Sequence, residues 1–304
     1  MIIFRTSVNS ISLLMGLSFS VAISVSACSG SSQDLAPEEP TQEMGQGGDT
    51  GGAAAVSEES SEPVFGEKIG DCEWREGQAA VSLTYDDAMP TQKATAVPAL
   101  KAHGLKATFF VGDVSVSLDI WSALVDEGHE MGAHTFNHPC PAANSWVAEG
   151  KGNEDYDLNR MALELDENIE VLKALGQPAP YTFAYPCGET YVDDPNVSYI
   201  PLIEERFIAA RGATPGFIGR SPEYFNIPSS FIKSSASQLI SLVNKAQESG
   251  SWVVLGFHGI GGDWETLDAD AHEEFLQYLE DKQKELFVAP FGTVVQCLQA
   301  EAKK

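Results

Sequence analysis

Two short segments carry the residues best suited to chemistry. The segment TYDD at residues 84–87 ends in two carboxylates, Asp86 and Asp87, directly after an apolar run. The segment HTFNH at residues 134–138 places two imidazoles, His134 and His138, four residues apart. One carboxylate and two imidazoles form a ligand set typical of catalytic zinc sites, which keep an open position for water. The second carboxylate then stays free beside the metal. These residues predict a catalytic metal centre.

A third histidine, His258, ends the apolar run at residues 252–257 and precedes a glycine-rich loop. This position favours exposure in the mouth of a site, where His258 could serve as an acid. The plainer alternative is a buried core histidine at the end of a very apolar strand. We expect the remaining histidines to lie on helix or loop surfaces without a role; these are His103, His129 and His272.

The elements that must position these residues alternate along the chain. Short apolar runs predict strands at residues 80–84, 107–111, 130–134, 181–185, 207–211, 252–257 and 286–289. Amphipathic stretches predict helices at residues 91–103, 120–127, 157–175, 237–248, 269–284 and 293–302. Such alternation predicts an α/β fold with a parallel sheet and its helices outside. About seven units suggest a closed or nearly closed barrel, in which chemistry lies at the C-terminal strand ends. The acidic pair, the histidines and residues 184–188 all fall there.

The order TYDD, HTFNHP and then FHG at residues 257–259 resembles the polysaccharide deacetylases, carbohydrate esterase family 4. The resemblance covers roughly residues 78–304 and implies a distorted (β/α) barrel of about seven parallel strands. It also implies that Asp87, His134 and His138 bind one divalent metal, with zinc as the default and cobalt or nickel as alternatives. Asp86 is then the candidate general base that activates water, and His258 the candidate general acid. Plainer alternatives are a capped turn for the two ligand histidines and an orienting or salt-bridging role for Asp86.

One motif departs from the family pattern. At residues 183–188, Ala184 stands where the family has an arginine, and Cys187 stands where it has a tyrosine. The backbone N–H of Cys187 can still face an oxyanion, and we place Tyr185 beside it at the substrate. The missing arginine normally orients the catalytic aspartate, and Arg211, at the end of the next predicted strand, could replace it. Trp264 could stack on a sugar face, or could equally be a core or rim aromatic.

The N-terminus resembles the signal of a bacterial lipoprotein. Arg5 precedes an apolar stretch at residues 11–25 that is too short for a stable membrane span, and small residues lead to Cys28. We expect residues 1–27 to be cleaved and Cys28 to be acylated, which would anchor the chain in a lipid bilayer. The alternative is a plain secretory signal cut after Ala27. Ser29 resembles sorting to the outer membrane if the organism is Gram-negative, so we expect an exported protein at that membrane or the cell surface.

Residues 28–67 are rich in small and polar residues. From Ser29 to Glu67 there are nine acidic residues and no basic residue, which predicts a flexible acidic linker. Residues 68–304 then form the catalytic domain. The net charge of −26 argues against nucleic acid and anionic membrane surfaces as partners. We expect a monomer.

Four cysteines are left once Cys28 is acylated, and disulfides persist outside the cytoplasm. Cys140 and Cys187 follow neighbouring predicted strands, so their loops should meet at the rim of the site. We therefore expect a Cys140–Cys187 disulfide. Cys72 and Cys297 lie nearer the opposite end of the domain and should tie the chain ends together. The alternative is four reduced, buried thiols.

The resemblance implies hydrolysis of acetyl groups from an extracellular glycan, first of all N-deacetylation of an N-acetylglucosamine polymer or oligomer. An acetylated polysaccharide or oligosaccharide is then the substrate. The nearest alternative is O-deacetylation of acetylated xylan or a related polysaccharide, because an ester tolerates a weaker acid system. A more distant alternative is an inactive, lipid-anchored glycan-binding protein.

Overall fold

A computed structural model of this protein describes residues 65–193 and 197–304, all within the compact unit Ser60–Lys304. Its main element is a parallel sheet whose strands run in the spatial order β7-β4-β3-β2-β1-β9-β8, and β10 pairs with the beginning of β1. These strands are β1 (Ala79–Asp86), β2 (Thr108–Val111), β3 (Glu130–Ala133), β4 (Thr182–Ala184), β7 (Ala209–Arg211), β8 (Ser230–Phe231), β9 (Trp252–Phe257) and β10 (Leu286–Val288). A separate antiparallel hairpin consists of β5 (Tyr191–Val192) and β6 (Val197–Ser198).

The sheet curls towards closure through one short connection. Ile227 pairs in parallel with Arg211 at the end of β7, and β8 pairs with β9 three residues later. The segment between Ile227 and β8 therefore joins the two edges of the curled sheet. This arrangement confirms the predicted distorted (β/α) barrel.

Helices lie between the strands of the barrel. They are α1 (Val97–Ala102), α2 (Leu118–Asp126), α3 (Leu158–Ala174), α4 (Ile200–Glu204), α5 (Ala236–Ser249), α6 (Ala269–Asp281) and α7 (Phe291–Glu301). The ends of the longer helices follow from local chemistry. Asp157 caps α3 by accepting from the backbone N–H of Arg160, and α5 ends at Gly250, whose φ of 59° suits glycine. None of the helices among the described residues is long and apolar enough to cross a membrane.

The core has two layers, and β1 separates them. Val81, Leu83 and Tyr85 belong to the larger hydrophobic cluster, in which residues of α5 and α6 also pack. Ala80 belongs to a second cluster with Trp252 and residues of α7. All eight residues of β1 are buried, as expected for a central strand of a parallel sheet. Its last residue, Asp86, is therefore held in place on both sides.

All seven predicted strands and all six predicted helices are present, with most ends shifted by one to three residues. The first predicted helix begins as a π-helix at Gln92–Ala96 before it continues as α1. The sequence analysis missed β8, the β5–β6 hairpin and α4. The strands it missed are two residues long, and α4 has five residues. Elements this short contain too few residues for a hydrophobic pattern to repeat.

Candidate active site

Three side chains with metal-binding atoms meet at the C-terminal end of the sheet. Asp87 Oδ1 lies 3.2 Å from His138 Nε2 and 3.5 Å from His134 Nε2. One ligand atom from each residue lies within 4.8 Å of the others, and no second such group occurs among the described residues. Two imidazole nitrogens and one carboxylate suit zinc, and also cobalt or nickel.

His134 is fixed in the tautomer that a metal ligand needs. It donates through Nδ1 to the carbonyl oxygen of Ala184 at 2.8 Å, so its Nε2 lone pair faces Asp87. Burial lowers the pKa of His134 to about 3 and also lowers the pKa of His138. Both imidazoles are therefore neutral near pH 7, as metal binding requires.

Asp87 has the opposite perturbation. Burial, followed by the neighbouring charge of Asp86, raises the pKa of Asp87 to about 6. A cation placed among these three side chains would relieve both penalties by stabilising the carboxylate. The cluster therefore fits a divalent metal in its donor atoms and in its electrostatics.

The backbone is bent where these ligands lie. Asp87, Thr135, His138 and Cys187 have φ values of 72°, 57°, 53° and 54°, in the left-handed region that residues other than glycine avoid. Such conformations cost about 1–3 kcal/mol each and cluster at functional sites. The bend after Asp86 lets two adjacent carboxylates face one cavity, which a straight strand forbids.

Local hydrogen bonds hold the histidine segment in this shape. Thr135 Oγ1 accepts from the backbone N–H of His138 at 3.1 Å. Glu164 accepts from both the backbone and the side-chain amide of Asn137, and Asn168 accepts from the backbone of His134 at 2.7 Å. Helix α3 thus supports the candidate metal-binding segment through two polar side chains, Glu164 and Asn168, that were not predicted from the sequence.

Asp86 lies beside the cluster in a buried ion pair. Arg211 Nη2 donates to both of its carboxylate oxygens, at 2.5 and 2.6 Å, and both side chains are almost completely buried. Burial alone would raise the pKa of Asp86. The charge of Arg211, smaller contributions from His134 and His258 and the hydrogen bonds from Arg211 together outweigh burial, and the pKa of Asp86 lies below its ordinary value. Asp86 is therefore ionised near pH 7.

Arg211 is itself held rigidly. Its Nη1 donates to the carbonyl oxygen of Gly212 and to Ser229 Oγ, each at 3.2 Å. The rings of Phe110 and Phe231 lie 4.9 and 5.2 Å from the guanidinium carbon. The guanidinium can therefore hold the Asp86 carboxylate in one orientation.

His258 lies on the other side of Asp87. Its Nε2 is 3.7 Å from Asp87 Oδ2, and its Nδ1 is 3.8 Å from Glu265 Oε2. The ring packs beside Phe231, with centroids 5.2 Å apart, and 18% of the side chain is exposed. His258 is therefore a reachable histidine in the mouth of the site, as predicted.

A cavity of about 1100 Å³ opens over these groups. It collects all the predicted site residues of the domain except the cysteines Cys72, Cys140 and Cys297: Asp86, Asp87, His134, His138, Tyr185, Cys187, Arg211, His258 and Trp264. Cys28 lies outside the described residues.

Residues 75–198 match the model of the polysaccharide deacetylase family. Over this stretch the chain is similar to the polysaccharide deacetylases. It is 33% identical over 115 residues to a peptidoglycan-N-acetylglucosamine deacetylase of Bacillus cereus, an alignment that covers 37% of this chain and 38% of that relative. The chain thus aligns with well under half of that relative's length.

A solved structure shares the fold of this chain. A protein of Mycobacterium smegmatis classed as a polysaccharide deacetylase superposes with a TM-score of 0.54 at 16% identity, covering 78% of this chain and 96% of that one. The peptidoglycan deacetylase PdaC from Bacillus subtilis superposes with a TM-score of 0.44 at 15% identity, covering 74% and 94%.

The two predicted substrate-binding residues Cys187 and Tyr185 differ in the groups that they present to the cavity. Cys187 lines the cavity on a strained turn. The Tyr185 hydroxyl donates to the carbonyl oxygen of Phe225 at 2.8 Å, and its ring packs against Phe183 and Tyr199. The hydroxyl of Tyr185 is thus already hydrogen-bonded inside the protein, and its ring forms part of the cavity wall.

Both predicted disulfides are present in the domain. Cys140 bonds Cys187, and Cys72 bonds Cys297, each with a Cα–Cα distance of 5.7 Å. The first bond joins the loop after the metal-binding histidines to the turn that carries Cys187. The second ties the segment before β1 to α7.

The surface position expected for the other histidines is wrong. His103, His129 and His272 are all buried. His272 Nε2 lies 2.7 Å from the Tyr85 hydroxyl, and the nitrogens of His103 lie 2.6 Å from Glu280 Oε2 and 2.9 Å from Glu273 Oε1. His129 Nδ1 accepts from the backbone N–H of Ala107 at 3.2 Å, so polar partners allow all three histidines to be buried without a catalytic role.

Two further residues at the site, Gln92 and Trp146, were not predicted from the sequence. Gln92, in the π-helix, donates to the backbone oxygens of Asp86 at 2.5 Å and His258 at 3.0 Å, and so ties β1 and β9 together at the site. A π-helix is often found at functional sites, but nothing in the local sequence indicates one. Trp146 lines the cavity while 53% exposed.

Proposed function

We propose that this protein is a metal-dependent deacetylase that removes N-acetyl groups from an extracellular glycan containing N-acetylglucosamine. The observation that carries the proposal is the position of Asp86, held by Arg211, and of His258 on either side of the Asp87 cluster. An ionised carboxylate and a reachable histidine around one candidate metal site are the parts that amide hydrolysis needs.

Asp87, His134 and His138 would hold the metal. When bound, a divalent cation polarises the acetyl carbonyl and makes a nearby water more acidic. Asp86 accepts the proton of that water, because Arg211 keeps it ionised. The oxygen of the water adds to the acetyl carbon, and the backbone N–H of Cys187 would donate to the developing oxyanion. His258 donates a proton to the leaving nitrogen as the C–N bond breaks, which releases acetate and a free amine.

The ester alternative is less well supported than the amide. From the sequence, ester hydrolysis was the nearest alternative because Ala184 replaces the arginine that would support the base. An alkoxide leaves more easily than an amine, so an ester can be cleaved by a weaker catalytic system. Arg211 now provides a cation at Asp86, so that argument no longer favours the ester. An inactive glycan-binding role leaves five ionisable residues around one cavity without a purpose.

The proposal includes the predicted location. Residues 1–27 would be removed and Cys28 acylated, which would leave residues 68–304 as a catalytic domain on an acidic linker. Incorporation of labelled fatty acid that Cys28→Ser abolishes would support the anchor. Incorporation that survives this substitution would refute it.

Acetate release from chitooligosaccharides, peptidoglycan and acetylated xylan tests the activity directly. Chelation should abolish release, and zinc or cobalt should restore it. Asp86→Asn should keep the metal but lose about 10²–10⁴-fold in turnover, and His134→Ala should lose the metal too. Asp119→Asn, an exposed carboxylate on α2, is the matched control. Near wild-type turnover of Asp86→Asn would refute the assignment of the base, and release from acetylated xylan alone would favour the ester.

A further inference from the structure

The five tryptophans of this chain divide into two groups, and all five are among the described residues. Trp74, Trp121 and Trp252 are completely buried. Trp146 and Trp264 are 53% and 60% exposed, and both line the same cavity. Large exposed aromatics in a cavity mark a ligand surface, because exposure costs free energy that a purely structural role would recover by burial.

Trp146 lies on a firmly held loop. The Cys140–Cys187 disulfide fixes the start of this loop, and the backbone of Asn153 donates back to Cys140 at 3.1 Å. A turn brackets the tryptophan, since Val147 donates to Asn144 at 2.9 Å. The Trp146 ring centroid lies 6.3 Å from that of His138, which places the indole beside one metal-binding residue.

Trp264 lies on the loop that follows His258. Its carbonyl oxygen accepts from Gly259 at 3.0 Å, and its neighbours Asp263 and Glu265 adopt positive φ values of 65° and 47°. Two strained residues on either side of one exposed indole indicate that the loop holds the side chain in a defined place.

The histidines nearest to the two tryptophans, in space for Trp146 and along the chain for Trp264, approach different oxygens of the Asp87 carboxylate. His138, near Trp146, approaches Oδ1, whereas His258, which leads into the Trp264 loop, approaches Oδ2. The cavity volume, about 1100 Å³, exceeds the range of about 300–1,000 Å³ that is usual for small-molecule sites. Polar rim groups, among them Asn144 and Glu189, can bond hydroxyl groups.

We propose that Trp146 and Trp264 are two sugar-stacking platforms, one on each side of the reacting sugar. The cavity then binds an oligosaccharide through rings that flank the one losing its acetyl group, and a single sugar is a poor ligand. This inference rests on the proposed function for its ligand class. The indole face can cover the C–H face of a sugar ring while rim groups bind the sugar hydroxyls. Neither a flat apolar ligand nor a small ester needs both kinds of contact.

Tryptophan fluorescence tests the platforms without catalysis. The zinc-loaded protein is titrated with glucosamine oligomers of one to six units, which carry no acetyl group and are not consumed, and in parallel with xylose oligomers. Affinity should rise with chain length. Trp146→Ala and Trp264→Ala should each weaken binding of the longer oligomers by about three- to tenfold, while the Phe variants, which keep a stacking surface, should stay within about twofold of wild type. Val116→Ala, at an exposed residue outside the cavity lining, is the control.

Acetate release from N-acetylglucosamine oligomers provides the second arm. Both Ala variants should lose kcat/KM on hexamers and little on dimers, with metal content and thermal unfolding unchanged. Equal affinity of both Ala variants and wild type for every oligomer would overturn the platforms, and dependence on one tryptophan alone would overturn the two-sided arrangement. Tryptophan-dependent binding in a protein that releases no acetate would refute the proposed function and leave the platforms standing.

Discussion

Arg211→Met isolates the contribution of the cation that faces the proposed base. The substitution removes the charge while keeping a long side chain between Phe110 and Phe231. In the wild-type protein one guanidinium nitrogen contacts both oxygens of Asp86, which is only 3% exposed. A cation at such a distance lowers the pKa of an aspartate by about 1–3 units, so its loss should raise the pKa of Asp86 by about that amount.

The direction of the effect on the rate follows from the role of Asp86. A general base works only when deprotonated, so a higher pKa moves the acidic limb of the kcat/KM profile to higher pH by about 1–3 units. Below that limb the variant should be about 10–1000-fold slower than wild type, and at higher pH the difference should shrink. Any bound metal acts on both proteins alike, and the comparison therefore reports the arginine.

Arg211→Met should also lower the free energy of unfolding. The pKa of Asp86 is depressed in the folded protein, so the ion pair stabilises the fold above the unfolded pKa of about 3.9 and loses this effect as the pH falls through the lower folded value. Removing one partner of a buried pair costs about 3–5 kcal/mol. The difference in unfolding free energy between wild type and Arg211→Met should therefore be largest near pH 7 and should narrow in acid.

Arg206→Met is the matched control. Arg206 also bonds an aspartate, with Nε 2.8 Å from Asp166 Oδ1, but that carboxylate is 57% exposed. Exposed pairs contribute about 0–1 kcal/mol, and we expect no shift in the pH profile. Rate profiles from pH 4.5 to 9, unfolding by urea and metal content by mass spectrometry cover the comparison. An unchanged acidic limb in Arg211→Met with metal retained would show that Asp86 is not the base that this arginine supports.

Three further predictions concern the metal and the disulfides. Zinc affinity should fall by about tenfold per pH unit below about pH 6, because the pKa of Asp87 is raised to about 6 and its proton competes with the metal. Competition with a chelating dye measures this affinity. A constant affinity from pH 6 to 5 would contradict the prediction. Replacing Cys140 and Cys187 by serine should lower the free energy of unfolding by about 4 kcal/mol and also lower turnover, because the loop of the candidate metal ligand His138 loses its link to the turn at Cys187. Replacing Cys72 and Cys297 should cost about 5 kcal/mol for the longer closed loop while turnover at 25 °C stays unchanged. Urea unfolding and acetate release distinguish the two pairs, and equal turnover in both would contradict the catalytic role of the first bond.

Much of the barrel was predictable because a parallel sheet is buried on both faces. Its central strands are short apolar runs, and Trp252–Phe257 coincides with the predicted strand at both ends. Strand β8 was not predictable in this way. Ser230 and Phe231 form a strand because β9 lies beside them, and two residues carry no periodicity of their own.

The residues of the candidate site also differ in how far the sequence could predict them. Asp86 and Asp87 could be predicted because their type and spacing are unusual at a strand end. The burial of His272 was also present in the sequence, since His272, Phe275, Leu276 and Leu279 follow one helix face at helical spacing. Trp146 could not be predicted, because its place in the cavity depends on a loop held by a disulfide and by contacts distant in sequence.

The position of Arg211 shows why spacing alone left its role open. Ala184 at the end of β4 stands where the family pattern has an arginine, and Arg211 at the end of β7 is its register partner in the neighbouring parallel strand. The ends of adjacent parallel strands meet at the same edge of the sheet, so a cation from either strand can reach Asp86. Ala184 keeps a different task through its backbone, because its carbonyl oxygen orients His134. The buried positive charge beside Asp86, the proposed base, therefore comes from the strand next to the motif.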